Sequence, residues 1–93
     1  MIKTFLNTNL EDFYYDGTRK KIHIQHVEKL ERILERLDKA EDVLRDMNYP
    51  GSHLHKLEPR KDERWAVRVN KNYRVTFRFV ERDAYEVDYN DYH

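Results

Sequence analysis

The sequence predicts an α+β fold, an antiparallel sheet with helices packed on one of its faces. Three observations carry this. Ile24, Val27, Leu30, Ile33/Leu34 and Leu37 recur at steps of three and four among charged residues, the period of an amphipathic helix. Arg74-Val75-Thr76-Phe77-Arg78-Phe79 alternates instead, and so does Trp65-Ala66-Val67-Arg68-Val69, the period of strands with one buried side. The helical patterns come first and the strand patterns follow without a helix between them, so the strands form a meander rather than parallel crossovers.

Taken in order, residues 1–6 read as a short strand with Ile2 and Thr4 on one side and Lys3 and Phe5 on the other. Asn9 offers an N-cap and Glu11-Asp12 an acidic first turn for a short helix that stops at Asp16-Gly17. Arg19-Lys20-Lys21 is a solvated loop. A strongly amphipathic helix covers about 24–38. Asp38-x-x-Glu41 resembles a capping box, which predicts a break and a second helix over about 40–48 through Ala40, Val43, Leu44 and Met47; a continuous helix is the alternative. Asn48-Tyr49-Pro50-Gly51 turns the chain. His53–Glu58 alternates and reads as a short strand ended by Pro59, and Lys61-Asp62-Glu63-Arg64 as a polar turn. Strands follow at about 64–69, 73–81 and 84–90, the last two joined at Glu81-Arg82-Asp83. In this reading the helices cover Val75, Phe77 and Phe79, and the side that carries Arg68, Arg74 and Arg78 stays open.

Composition narrows the function. Ninety-three residues are enough for one domain, 1–93, with a modest core. Aromatic residues make up 13% of the chain, which argues against disorder. There is no cysteine, so neither disulfides nor a thiolate zinc site hold the fold. Two glycines cannot supply a glycine-rich phosphate loop, and a lone serine, Ser52, argues against a serine triad. No apolar run approaches the ~20 residues of a membrane span, and the start of the chain does not read as a signal peptide, so a cytoplasmic protein is expected. Net charge is zero, which speaks against indiscriminate nucleic-acid binding. The charge is uneven, however. Residues 49–82 hold nine Lys/Arg against four Asp/Glu, and residues 83–93 hold four acids and no Lys or Arg. A basic surface of this kind attracts phosphate within a Debye length of about 8–10 Å.

The chemistry concentrates at the end of the chain. Arginines on a sheet face serve as a solubility device in many proteins. Forked guanidinium donors beside a histidine and a tyrosine, as in the ending Asp91-Tyr92-His93, are also what phosphodiester chemistry needs: anion clamps, a proton carrier near neutral pH and a flat surface for a base. Glu58, just before Pro59 and outside any helical pattern, would complete an acid–base pair around that clamp, or is an ordinary exposed loop acid. His53 and His55 share a strand face by spacing, and His23 and His26 can share a helix face. A zinc site would want a third ligand at defined spacing, so no metal and no cofactor is expected.

Lys56-Leu57-Glu58-Pro59, then Trp65-Ala66-Val67-Arg68-Val69-Asn70-x-Asn72-Tyr73-Arg74-Val75-Thr76-Phe77, then Tyr89-Asn90-Asp91-Tyr92-His93, closely resemble the HigB-type toxins of the RelE/ParE superfamily of toxin–antitoxin systems. The similarity runs along the whole chain. It implies a small RelE-like microbial RNase fold and an endoribonuclease that enters the ribosomal A site and cuts mRNA during translation. In such enzymes a 2′-hydroxyl attacks the adjacent phosphate, leaving a 2′,3′-cyclic phosphate and a 5′-hydroxyl. Carried over by motif, Arg68 and Arg74 hold phosphate and transition-state charge, and Asp91, Tyr92 and His93 form the terminal catalytic group. Lys56, Lys61, Arg64 and Arg78 are the expected substrate contacts. One departure is Glu58, which stands where some HigB toxins have a histidine in a K-L-H-P segment. The related YoeB toxins have a glutamate in K-P-E-P, serving as base opposite a terminal histidine acid, so Glu58 reads as a functional swap.

The resemblance also implies partners: the ribosome with mRNA in its A site, and a helix-turn-helix antitoxin of the HigA kind, with operator DNA contacted only through that antitoxin and no membrane involved. Two other functions fit the same fold. One is an inhibitor of the ParE kind acting on DNA gyrase; the other is an inactive module that only pairs with an antitoxin. The titratable ending Tyr92-His93 favours the nuclease.

Overall fold

The computed structural model describes residues 1–57 and 63–91. The elements run α1 (Thr8–Asp16), a 3-10 turn (Ile24–His26), α2 (Val27–Lys39), α3 (Val43–Asp46), β1 (His55–Lys56), β2 (Arg64–Arg68), β3 (Tyr73–Val80) and β4 (Asp83–Asp91). The four strands form one antiparallel sheet in the order β1-β2-β3-β4. The predicted meander is present, and β2 pairs with β3 so that Trp65 meets Phe77 and Val67 meets Val75 on the side that faces the helices. Val67, Val75 and Phe77 are fully buried there with Leu30, Leu34 and Leu37 of α2. Phe79, expected in the same row, packs against this core but is only half-buried.

The turn between β3 and β4 contains two residues, Glu81 and Arg82, both in the left-handed region (φ 49° and 74°). That geometry matches the strand twist at the expense of two non-glycine residues in αL. Further along, β4 bulges: Thr76 pairs with Asp88 but Arg78 pairs with Tyr85, so two residues of β4 oppose Phe77. Glu86 sits at the bulge with φ 53°. The expected N-terminal strand lies parallel to β4 and is split by this bulge into two isolated bridges, Ile2 to Ala84 and Phe5 to Val87. The Thr4 hydroxyl bridges the gap by accepting the Glu86 N–H at 2.8 Å. Ile2 is buried and Thr4 exposed, so the two do not share an environment as simple alternation predicts.

Several helix boundaries differ from the local reading, each because a tertiary partner intervenes. Asn7, not Asn9, caps α1, accepting the Leu10 N–H at 3.0 Å, and Gly17 closes the helix with φ 75°. Ile24 is 79% exposed, because the chain enters α2 through a 3-10 turn whose phase sends His26 inward in its place. Asp38 does not start a capping box. Its Oδ1 accepts the Ile2 N–H at 2.9 Å, and burial, with the negative charge of Asp38 nearby, pushes the Tyr14 hydroxyl up to about 12. The cap of α3 is Asp42, which accepts from Leu44 and Arg45, while Asp46 Oδ2 accepts the N–H groups of Glu41 and Asp42. The Arg45 guanidinium and these two amides hold the Asp46 carboxyl well below the usual carboxylate range. One turn long, α3 buries Val43 and leaves Leu44 64% exposed, while Met47 beyond it is buried.

A sheet face bearing paired arginines

The register that buries Trp65 and Val67 puts their neighbours on the other side of the sheet. There Arg64 stands opposite Arg78, Ala66 opposite Thr76 and Arg68 opposite Arg74. Directly opposed residues in an antiparallel pair have Cβ atoms ~5 Å apart, and like charges in that position destabilise the sheet. Two such pairs lie on this one face. The face is not fully open, as the alternation alone suggests. All four arginines are half-buried, and Ala66 and Thr76 between them are buried.

The arginines differ in what holds them. Arg64 spans the sheet: one Nη donates to Glu86 Oε1 at 3.1 Å, and the other donates to Thr76 Oγ1 at 3.1 Å and to the Glu86 carbonyl at 3.2 Å. With the Thr4 hydroxyl on its N–H and Arg64 on its carbonyl and Oε1, Glu86 is held on three sides at a strained φ. Arg64 is therefore the fastener of the bulge, and three of its hydrogen bonds are committed inside the protein. Arg74 pairs in register with Asn90 and donates Nε to Asn90 Oδ1 at 3.4 Å; Asn90 in turn donates to Asp88 Oδ2 at 3.1 Å. Asp88 is thus linked to Arg74 through the Asn90 amide. Arg68 Nη1 lies 3.3 Å from His53 Nε2. A guanidinium only donates, so that nitrogen of His53 accepts and carries no proton. His53 is held there in the left-handed region, with φ 48°.

Arg78 lies opposite Tyr85, on the same face. His55 pairs in register with Ala66 and so joins this face at the sheet edge; its Nδ1 donates to the His53 carbonyl at 3.0 Å. Lys56 pairs with Trp65 on the opposite side of the sheet, with its ammonium 5.4 Å from the centre of the Trp65 ring. Asp91 pairs with Tyr73, also on the side away from the arginines, and is exposed. Glu58, Lys61, Tyr92 and His93 lie outside the described residues. The structure therefore brings together Arg68, Arg74 and Arg78, supports them with Arg64, and adds His53, His55, Tyr85, Asp88 and Asn90. The spacing of His53 and His55 hinted at their shared side. The parts of Asp88 and Asn90 depend on strand register, which no local pattern states.

Among the described residues no three His, Cys, Asp or Glu side chains gather in a way that could hold a metal ion. Grooves of about 500 Å³ and 380 Å³ flank α2, lined by residues such as Arg32, Arg36 and Tyr49, and neither includes an arginine of the sheet. No helix among the described residues is long and apolar enough to cross a membrane.

Known proteins share this arrangement of chain. The protein "Endoribonuclease HigB" of Proteus vulgaris is 31% identical over 93 residues, covering all of both chains. An uncharacterised protein of Haemophilus influenzae is 30% identical over 81 residues, 86% of this chain and 80% of that one. The toxin–antitoxin structure "YoeB-YefM complex from Staphylococcus aureus" superposes with a TM-score of 0.56 at 14% identity, over 97% of this chain and 98% of that one, and so shares the fold. Residues 3–93 match the family described as the RelE-like toxin of the type II toxin–antitoxin system HigB. The relative matches over its full length and the family over nearly every residue: the chain belongs to the HigB-like toxins.

Proposed function

We propose that this toxin is an endoribonuclease that cuts mRNA in the ribosomal A site, with the scissile phosphate on the arginine face. The observation that carries this reading is the opposition of Arg68 and Arg74 across β2 and β3. Two arginines opposed in register on one sheet face offer forked donors to the oxygens of a phosphate. In the reaction, Glu58 takes the proton of the 2′-hydroxyl as its oxygen bonds to phosphorus. Charge builds on the non-bridging oxygens, where Arg68 and Arg74 stabilise it. The bond from phosphorus to the 5′-oxygen breaks, and that oxygen leaves with a proton from His93. The products are a 2′,3′-cyclic phosphate and a 5′-hydroxyl. Asp91 and Tyr92 shape the terminal group around His93, and Lys61 and Arg78 contact the RNA backbone. Lys56, against Trp65 on the other side of the sheet, could meet RNA only where it wraps the β1 edge, and Arg64 acts chiefly by holding the bulge beneath the arginine face.

The zero net charge gives little long-range attraction to free RNA, so the ribosome must present the substrate in reactive geometry. On this reading the toxin works in the cytoplasm, where it meets translating ribosomes. In the cell the toxin is restrained by a HigA-like helix-turn-helix antitoxin, which alone contacts operator DNA. The test is to map RNA ends in cells expressing the protein, beside an assay of DNA supercoiling. Cuts inside translated regions with unchanged supercoiling are expected. Altered supercoiling without RNA cuts would point instead to a gyrase inhibitor, and neither effect to an inactive antitoxin-binding module.

A further inference from the structure

His26 is a buried titratable side chain that the reaction does not use. It is 3% exposed at the entry to α2, and both ring nitrogens are engaged. Nδ1 lies 2.6 Å from the Tyr89 hydroxyl and Nε2 lies 2.7 Å from Asn70 Nδ2. The direction of each bond follows from Asn70. Its Oδ1 accepts the backbone N–H groups of Asn72 and Tyr73, both at 2.8 Å, so the amide cannot be turned over without setting donors against donors. The Asn70 amide nitrogen therefore donates to His26, and Nε2 carries no proton. A neutral imidazole has one N–H, which lies on Nδ1 and is donated to Tyr89.

These two partners stand at the two places that set the arginine face. Asn70 organises the turn that joins Arg68 to Arg74. Tyr89 precedes Asn90, the partner of Arg74, and lies two residues before Asp91. Tyr73 stacks on Tyr89 with ring centroids 5.3 Å apart, contacts the His26 ring at 5.2 Å and bonds to His23 Nε2 at 2.9 Å. The cluster ties the start of α2 to the ends of β2, β3 and β4.

We infer that His26 is a positioning residue for RNA cleavage: its neutral imidazole clasps the β2–β3 turn and the end of β4, keeping Arg68, Arg74 and Asn90 in one arrangement. The role in cleavage rests on the reading above; the clasp itself rests on hydrogen-bond geometry. Protonation would place an N–H on Nε2 against the Asn70 amide donor and open the clasp. The groups around the ring are His23 and Lys29 from its own end of the helix, Tyr73 and Tyr89 from the sheet and Asn70 from the turn. Asp91, the register partner of Tyr73, is the carboxylate at that end of the sheet. Burial first, then His23 and Lys29, push the His26 imidazole below its ordinary value, which favours the neutral form the clasp needs.

Two measurements on the full chain test this. In a long-range nitrogen–proton spectrum at about pH 7, His26 should show a proton on Nδ1 and none on Nε2. A proton on Nε2, or a cationic ring at that pH, overturns the clasp whatever the activity. Single-turnover cleavage of ribosome-bound mRNA then tests the positioning role. His26→Leu should lower the saturated rate about 10- to 100-fold, as a small misplacement of reacting groups does. The concentration for half-maximal rate should stay within about twofold. His26→Gln, whose side-chain oxygen can accept from Asn70, should recover most of the rate. Asn70→Ser keeps an acceptor for the turn but cannot reach His26, and should show the same loss if His26→Leu does not fold. Wild-type rates in folded His26→Leu or Asn70→Ser would overturn the positioning role. If the wild-type protein cleaves nothing, the cleavage reading fails and takes that role with it, while the spectrum still decides the clasp.

Discussion

Arg68 and Arg74 face each other across adjacent antiparallel strands, six residues apart in sequence and directly opposed in space. Like charges directly opposed on neighbouring strands do not stabilise a sheet. Arg74→Ala should therefore leave a folded protein that melts within about 5 °C of the parent. Cleavage of ribosome-bound mRNA should fall by about 10²–10³, the usual effect of losing one donor to a developing oxyanion. Undiminished toxicity of Arg74→Ala at matched expression would remove the arginine pair from the mechanism.

The proton transfers are tested by pH. A base works only when deprotonated, so the rate should climb as pH rises through the value for Glu58. An acid works only when protonated, so the rate should fall above the value for His93. The single-turnover profile is expected to be bell-shaped. Glu58→Gln should flatten the acid limb and His93→Gln the alkaline one, each with a loss of about 10²–10⁴. If Glu58→Gln cleaves at the parent rate from acid to alkaline pH, the base lies elsewhere. His53, with its unprotonated Nε2 beside Arg68, is then the first residue to replace.

Arg64 separates a structural from a substrate-contacting arginine. Its bonds to Glu86 and Thr76 satisfy groups around a strained bulge. Arg64→Ala should cost about 1–3 kcal/mol in chemical denaturation, because it leaves part-buried acceptors without their charged donor. A variant as stable as the parent but weaker in RNA cleavage would make Arg64 a substrate contact instead.

His26 predicts acid sensitivity of the fold. Its folded pKa lies below the unfolded value of 6.5, so the unfolded state binds the proton more readily. The stability linked to this group is complete above that unfolded value. It is lost as pH falls from there toward the folded value. Urea midpoints measured from about pH 8 down to 5 should decline more steeply for the parent than for His26→Gln, which has nothing to titrate at that position. Parallel declines would show that His26 is not the group responsible.

What the sequence determined by itself was whatever repeats at short range. The buried rows Val67/Val69 and Val75/Phe77, and the apolar stripe of α2, follow from periods of two and of three to four residues, because side-chain direction is set by the local backbone. The arginines' common side and the stop at Gly17 were legible for the same reason. The misread positions are those where a distant group outbid a neighbour. Asp38 was drawn to Ile2 and Tyr14 rather than to a helix start, Ile24 was displaced outward by the burial of His26 against Tyr89 and Asn70, and Glu86 was bent into a bulge held by Arg64 and Thr4. The pairing of Arg68 with Arg74, the support of Arg74 by Asn90 and Asp88, and the placing of Lys56 and Asp91 on the other side of the sheet depend on strand register. Register is fixed by the packing of whole strands against the helices, so only the tertiary structure decided which charges meet.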